Sequence, residues 1–291
     1  MFYQQIVSFF CRSIARQENT FVKNHYRMSD PTYLFHRFLD EAGDTTFYKR
    51  GKVDIVGTPG VSKVFCLGCV KFKEPLLVVR QRIRGLIQQV ETDTYFSEIP
   101  SIQKRIADGG FFFHATDDVP EVRKILYDFI STLECSFEVV VARKIPSVFE
   151  NKHNGRQREF YADLLAHLLK NKLHKEGRLV LNIAQRADST KHSNLNLALT
   201  KAIARSQKNT GHFAKTRVVF DVQPYIKEPL LCITDYFCWA VQRVFERGEI
   251  RYYNFLKDRI SLVLDLYDTV NWQGSGNYYT PKRPLTTANH L

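Results

Sequence analysis

A chain of 291 residues with 44% hydrophobic content is long enough to bury one large core or two small ones, which excludes a disordered or fibrous protein. No apolar run reaches the length needed to span a bilayer, and the six cysteines sit mostly inside apolar runs, so the expectation is a soluble protein of the reducing cytoplasm. A formal net charge of +12 attracts polyanions by counterion release and makes nucleic acid the leading partner class, with charge spread for solubility as the plainer alternative.

Residues 1–27 carry Arg12, Arg16, Lys23 and Arg27 against Glu18, a net of 4 − 1 = +3, and precede Met28, a second possible start. Residues 1–30 read as an extension outside the folded domain, and the remainder keeps 12 − 3 = +9. Residues 33–40 predict a first strand, and Gly43 then lets the chain turn away. Turn chemistry marks 51–60 as a loop, and 64–72 predicts a second strand. Leu76, Val79, Ile83, Leu86, Ile87 and Val90 recur at helical spacing behind Pro75, predicting a helix over 75–91. After the break at Gly109 and Gly110, residues 111–114 suggest a short strand and Pro120 opens another helix.

Residues 135–145 are rich in β-branched side chains and predict a long strand. Helices are expected over 156–173 and 194–206, strands over 178–184 and 216–222, and a last helix over 229–247, stopped by Gly248. Residues 271–291, rich in Gly, Pro, Thr and Asn, read as a flexible tail, which leaves 31–270 as the domain. Strands first, then strands alternating with helices, imply an α/β protein. Its mixed sheet would carry helices on both faces, a pattern that fits a ribonuclease-H-like fold with helical insertions and irregular termini.

Two acids stand out chemically. Asp40 ends the apolar run LFHRFLD, and an ionised carboxylate buried there costs several kcal/mol unless a cation or donors meet it. Asp235 is the one acid in PLLCITDYFCWAVQR. If that helix packs beside the first strand, the two could share a hard divalent cation. Read alone, Asp40 also suits a strand-to-turn boundary and Asp235 a helix N-terminus. Cys66 and Cys69 form a C-x-x-C with no second ligand pair at zinc spacing, in a stretch that reads as strand. Arg143 and Lys144 at a strand end could meet phosphates or simply be solvated. Trp239, Tyr252 and Tyr253 could stack on bases or belong to the core.

Together, FLDEAGD and ITDYFCWAVQRVFERGE resemble the domain-of-unknown-function 3800 family, whose members begin with a strand ending in Asp-Glu-Ser/Ala-Gly and finish with an Ala/Thr-Asp-Tyr helix. The likeness covers roughly residues 33–265. It implies a ribonuclease-H-like fold and a metal-dependent nuclease, of a group often linked to mobile elements and defence. By this resemblance Asp40 is a metal ligand, Asp235 the closing ligand and Glu41 a weaker third, with Mg²⁺ or Mn²⁺ as the cofactor. Members often carry an acid, then Arg, then Gly at the end of a middle strand. This chain has Gln185, Arg186 and Ala187 there, and an amide offers one neutral oxygen without charge. The departure points to Asp188 or another acid as substitute, or to weakened catalysis. Gln185 and Arg186 become candidate substrate or phosphate contacts. His114, in FFFHATDD, resembles the family's Phe-His position and is a candidate acid/base, a phosphate contact or a core histidine. Asp117 and Asp118 read as a helix-entry turn.

The expected function is therefore a divalent-metal-dependent nuclease. A nucleic-acid-binding protein with a degenerate site, or a partner-binding component of a defence or mobile-element system, stands as the alternative.

Overall fold

Alternation along the strands decides which side chains meet which helix. The structure, a computed structural model, describes residues 33–186, 191–211, 213–271 and 273–291; the expected N-terminal extension, Met28, Cys11, Ala187 and Asp188 lie outside them. Strand β1 (Leu34–Ala42) is followed by a small hairpin, β2 (Tyr48–Lys49) and β3 (Val53–Asp54), whose second strand falls in the stretch expected to be loop, and then by β4 (Val64–Phe72). Helices α1 (Leu76–Thr92), α2 (Thr94–Ser97), α3 (Pro100–Ala107) and α4 (Pro120–Thr132) precede β5 (Cys135–Arg143). Next come α5 (Pro146–His153), α6 (Gln157–Leu169), β6 (Gly177–Ala184), α7 (His192–Thr210) and β7 (Thr216–Gln223). The chain closes with α8 (Leu230–Arg247), α9 (Arg251–Leu256), β8 (Ile260–Leu266) and β9 (Tyr278–Tyr279).

Seven strands form one mixed sheet in the order β7-β6-β1-β4-β5-β8-β9. β1 runs antiparallel to β4 and β4 antiparallel to β5, while β6 lies parallel to β1 and β7 parallel to β6. Successive side chains of a strand point to opposite faces. Phe38 and Ala42 of β1 and Cys66 and Val70 of β4 pack with α1, α4 and α8 on one face. Leu39, Phe65, Leu67 and Cys69 pack with α6 and α7 on the other. The C-x-x-C thiols thus point to opposite sides of the sheet and cannot share a zinc ion.

Helix α8 is apolar nearly all round because it is sandwiched in the first of these cores, fourteen of its residues being buried. Its placement on β1 is fixed by the Thr234 hydroxyl donating to the Phe38 carbonyl at 3.2 Å and by Cys238 Sγ at 3.4 Å from the Asp40 carbonyl. Gly68 makes that crossing possible. It pairs with Asp40 across the β1–β4 ladder, and a Cβ there would lie 2.5 Å from the Phe137 ring and 2.7 Å from Cys238 Sγ. At the end of β1, Gly43 takes φ +90°, and a Cβ would come within 2.4 Å of the Val64 carbonyl, so the turn that leaves the acids at the strand end requires glycine.

Three expectations are corrected. Residues 111–114 are a coil segment laid over α8 and not a strand, because their backbone bonds go elsewhere: the Phe111 N–H to Glu91 and the His114 N–H to Asp118. The tail expected over 271–291 is not loose in its described residues. β9 pairs antiparallel with β8, Leu285 is buried, Thr286 and Asn289 form a capping box, and the Leu291 N–H donates to the Phe245 carbonyl. The strand end 143–144 is not solvated. Arg143 forks onto Asp265 and reaches Asp268 at 2.9 Å. Lys144, its side chain fully buried, pairs with Asp44 at 3.0 Å. Among the described residues no helix is long and apolar enough to cross a membrane.

Candidate functional site

Where β1, β6 and α8 come together, one cavity of about 300 Å³ is lined by Asp40, Glu41, His114, Gln185, Arg186 and Asp235, all six residues singled out in the sequence, and also by Tyr225, Trp239 and Gln242. Asp40 shares the face of Phe38 and Ala42, the side on which α8 lies. Asp235 follows Thr234, which bonds Phe38, and precedes Cys238 by one turn, so α8 brings its carboxylate to the end of β1. Both residues are buried, at 3% and 5% exposure, although both line the cavity.

Donors meet the two acids, but cations largely do not. Asp40 accepts the Glu41 N–H at 2.8 Å through Oδ1 and the Tyr225 hydroxyl at 2.6 Å through Oδ2. Asp235 Oδ2 accepts the Ala115 N–H at 2.6 Å. Burial, then the charge of Asp235, pushes the Asp40 carboxyl well above the usual range, against the Tyr225 and Glu41 hydrogen bonds. Burial raises Asp235 to about 7, helped by the charges of Asp118 and Asp117 and opposed by the Ala115 N–H and by Arg186. Near neutral pH, with no further cation, the pair retains a proton.

The other candidates take different places. Glu41 follows Asp40 by one residue and so faces the α6 side, with Arg186 Nη1 3.6 Å from its Oε2, while Arg186 Nη2 donates to the Gly43 carbonyl at 2.6 Å. Its charge is met by arginine and not directed with Asp40 and Asp235 at one point. Gln185 continues β6, its N–H donating to the Gln223 carbonyl at 2.9 Å. His114 is half-buried, its Nδ1 3.0 Å from Asp117 Oδ2 and its ring edge-on to Tyr225 at 6.0 Å. Asp118 is more than a turn residue. Its buried carboxylate holds the His114 N–H, the Tyr236 hydroxyl and Arg105, and it pins segment 114–118 against α8.

Tyr225, the hydrogen-bond donor to Asp40, lies in the β7–α8 loop, in QPYIKEP. A single tyrosine among turn residues carries no periodic signal. Its stacking on Phe112 (5.3 Å, 13°) is set by a segment more than a hundred residues away.

Among the described residues no group of three or more His, Cys, Asp and Glu is arranged to hold a metal ion. The oxygen-only pair of Asp40 and Asp235 nevertheless fits a hard cation such as Mg²⁺, which commonly takes one or two carboxylates and completes its shell with water and substrate phosphate. No family model matches the chain, and no curated protein matches it significantly.

Proposed function

We propose that the protein is a divalent-metal-dependent phosphodiester hydrolase acting on nucleic acid, with Asp40 and Asp235 as its cation-holding pair. The observation that carries this reading is two buried carboxylates, from the ends of the domain's sequence, sharing one cavity and both displaced upward in pKa. A site that keeps two acids without neutralising cations is costly for folding alone and useful for binding a cation. Mg²⁺ or Mn²⁺, held by Asp40 and Asp235, would supply positive charge for phosphate oxygens and for an attacking water.

The chain's own groups support this role. Tyr225 and the Ala115 N–H fix the orientation of the two carboxylates, and Arg186 lines the cavity from the β6 side. His114, at the cavity wall, is placed to hold or move a proton. We also propose that the mixed order, with β4 and β5 antiparallel on one side of β1 and β6 and β7 parallel on the other, is a ribonuclease-H-like sheet, and that the chain belongs with the domain-of-unknown-function 3800 family it resembles. Placement in the cytoplasm and links to mobile elements or defence belong to the same proposal.

Gln185 favours a second reading. A neutral amide at the β6 end, where related proteins often have an acid, suits a nucleic-acid-binding protein with lost catalysis. Incubating the full chain with single- and double-stranded DNA and RNA in Mn²⁺ separates the two. Cleavage should vanish in Asp40→Asn and Asp235→Asn. Cutting that survives both substitutions rules out this site, and binding without cutting favours the second reading.

A further inference from the structure

We infer that a second cavity, beside the acid pair, is a stacking site for one unpaired base of a single-stranded nucleic acid; the substrate class, though not the cavity's chemistry, rests on the hydrolase reading above. This cavity, of about 220 Å³, is lined by Arg123, Lys124, Tyr127, Arg251, Tyr252 and Phe255 on α4 and α9, and by no carboxylate among the described residues. Phe255 is 46% exposed. A bare phenyl on a six-residue helix adds little to the core, yet it stands three residues from Tyr252, so the two rings share a face of α9.

The rings are held in place. Tyr252 stacks on buried Tyr127 at 5.4 Å and 24°, and Phe255 meets Tyr127 edge-on at 6.3 Å and 75°. Cations surround them: the Arg251 guanidinium lies 4.4 Å over Tyr252, and Lys124 Nζ lies 5.6 Å from the Phe255 ring centre. Lys124 is paired with Asp128 and Arg251 with Glu249. The Lys124–Asp128 pair is exposed on both sides, and Arg251 is exposed while Glu249 is also held by Arg243, so a phosphate can replace either cation's partner at little cost. Fixed aromatic faces bordered by exchangeable cations are the recognition chemistry of single strands, since every base offers a π-face and every nucleotide a phosphate. A cavity this small has room for a base and not for a duplex, whose bases are already stacked on both faces.

Continuity with the acid cavity argues for a polynucleotide. Trp239 lines the acid cavity and meets Tyr252 edge-on at 4.7 Å. Arg123 lies 4.9 Å over Trp239, and its Nε donates at 2.7 Å to the carbonyl of Ala115, the residue whose N–H holds Asp235. A strand anchored by a base at Phe255 and a phosphate at Arg123 would pass Trp239 toward Asp40 and Asp235. An acidic peptide would be drawn by the same cations but would gain nothing from the rings.

The test is fluorescence anisotropy of a labelled oligothymidylate of about ten nucleotides with the full chain in EDTA, against the same strand annealed to its complement and against polyglutamate. Wild type should bind the single strand. Phe255→Ala and Tyr252→Ala should each weaken it about 5- to 150-fold, Phe255→Tyr should restore it, and polyglutamate binding should not depend on Phe255. Because Phe255 is exposed, its variants should keep the wild-type melting midpoint. An absence of single-strand binding, affinities within about twofold of wild type, or equal losses for duplex and polyglutamate overturn the stacking site. Phe255-dependent binding by a protein that never cleaves with Mn²⁺ leaves the stacking site standing and removes the hydrolase. Cleavage whose KM ignores Phe255→Ala does the reverse.

Discussion

Asp235→Asn asks whether the acid pair is held under electrostatic stress. The Asp235 carboxyl lies at about 7 in the folded protein against an ordinary 3.8. Because the folded state binds the proton more tightly, stability from this group is present below about pH 4, falls as pH rises through about 7, and is gone above it. A rise of roughly three pH units at about 1.4 kcal/mol each means that the ionised carboxylate opposes folding by about 4 kcal/mol at pH 8. Asparagine removes the charge while its Oδ1 still accepts the Ala115 N–H. For a domain of this size each kcal/mol moves the melting midpoint by about 2–4 °C. The variant should therefore melt roughly 8–16 °C higher than wild type at pH 8 and within about 2 °C of it at pH 4. Mg²⁺ should close the gap at pH 8 by stabilising only the wild type. A variant that is less stable at pH 8, or that gains equally at both pH values, would show that packing and not ionisation governs this position.

Two further changes test how the fold positions the site. Gly68→Ala forces a methyl group against Phe137 and Cys238 and should cost about 1–3 kcal/mol in urea unfolding, while weakening Mn²⁺ affinity because α8 must back away from β1; unchanged stability would mean that the crossing is looser than described. Arg143→Ala leaves Asp265 and Asp268, both with fully buried side chains, without their cation. It should cost about 3–5 kcal/mol in the same measurement, and a loss below about 1 kcal/mol would refute a structural role for that cluster.

What the sequence disclosed followed from local chemistry. β1 and α8 are visible because β1 is an apolar run that ends in Asp40 and Glu41 and α8 an apolar run entered by Asp235, and Gly43 and Gly248 mark their ends. Their meeting could be posed only as a condition, since Gly68, the residue that admits α8 onto β1, looks in sequence like an ordinary glycine in a strand. Arg143 and Lys144 looked solvated because their partners Asp265, Asp268 and Asp44 lie about a hundred residues away, and nothing local reveals a buried ion pair. The C-terminal segment read as a tail for a different reason: two residues of β9 and one buried leucine are too few to show periodicity, even though β8, the partner of β9, is the preceding strand. Tyr225 escaped because a hydrogen bond from a loop leaves no pattern.

The claim on which the account turns is that Asp40 and Asp235 share one cation. Isothermal titration with Mn²⁺ at about pH 6.5, in buffers of different ionisation enthalpy, measures it directly. The account predicts binding that releases protons, because both carboxyls are displaced upward, and that weakens more than about 100-fold in Asp40→Asn and in Asp235→Asn, beyond the 10- to 100-fold typical of losing a supporting outer-shell group. Binding that survives both substitutions, or that takes up the ion with no proton release, would contradict it.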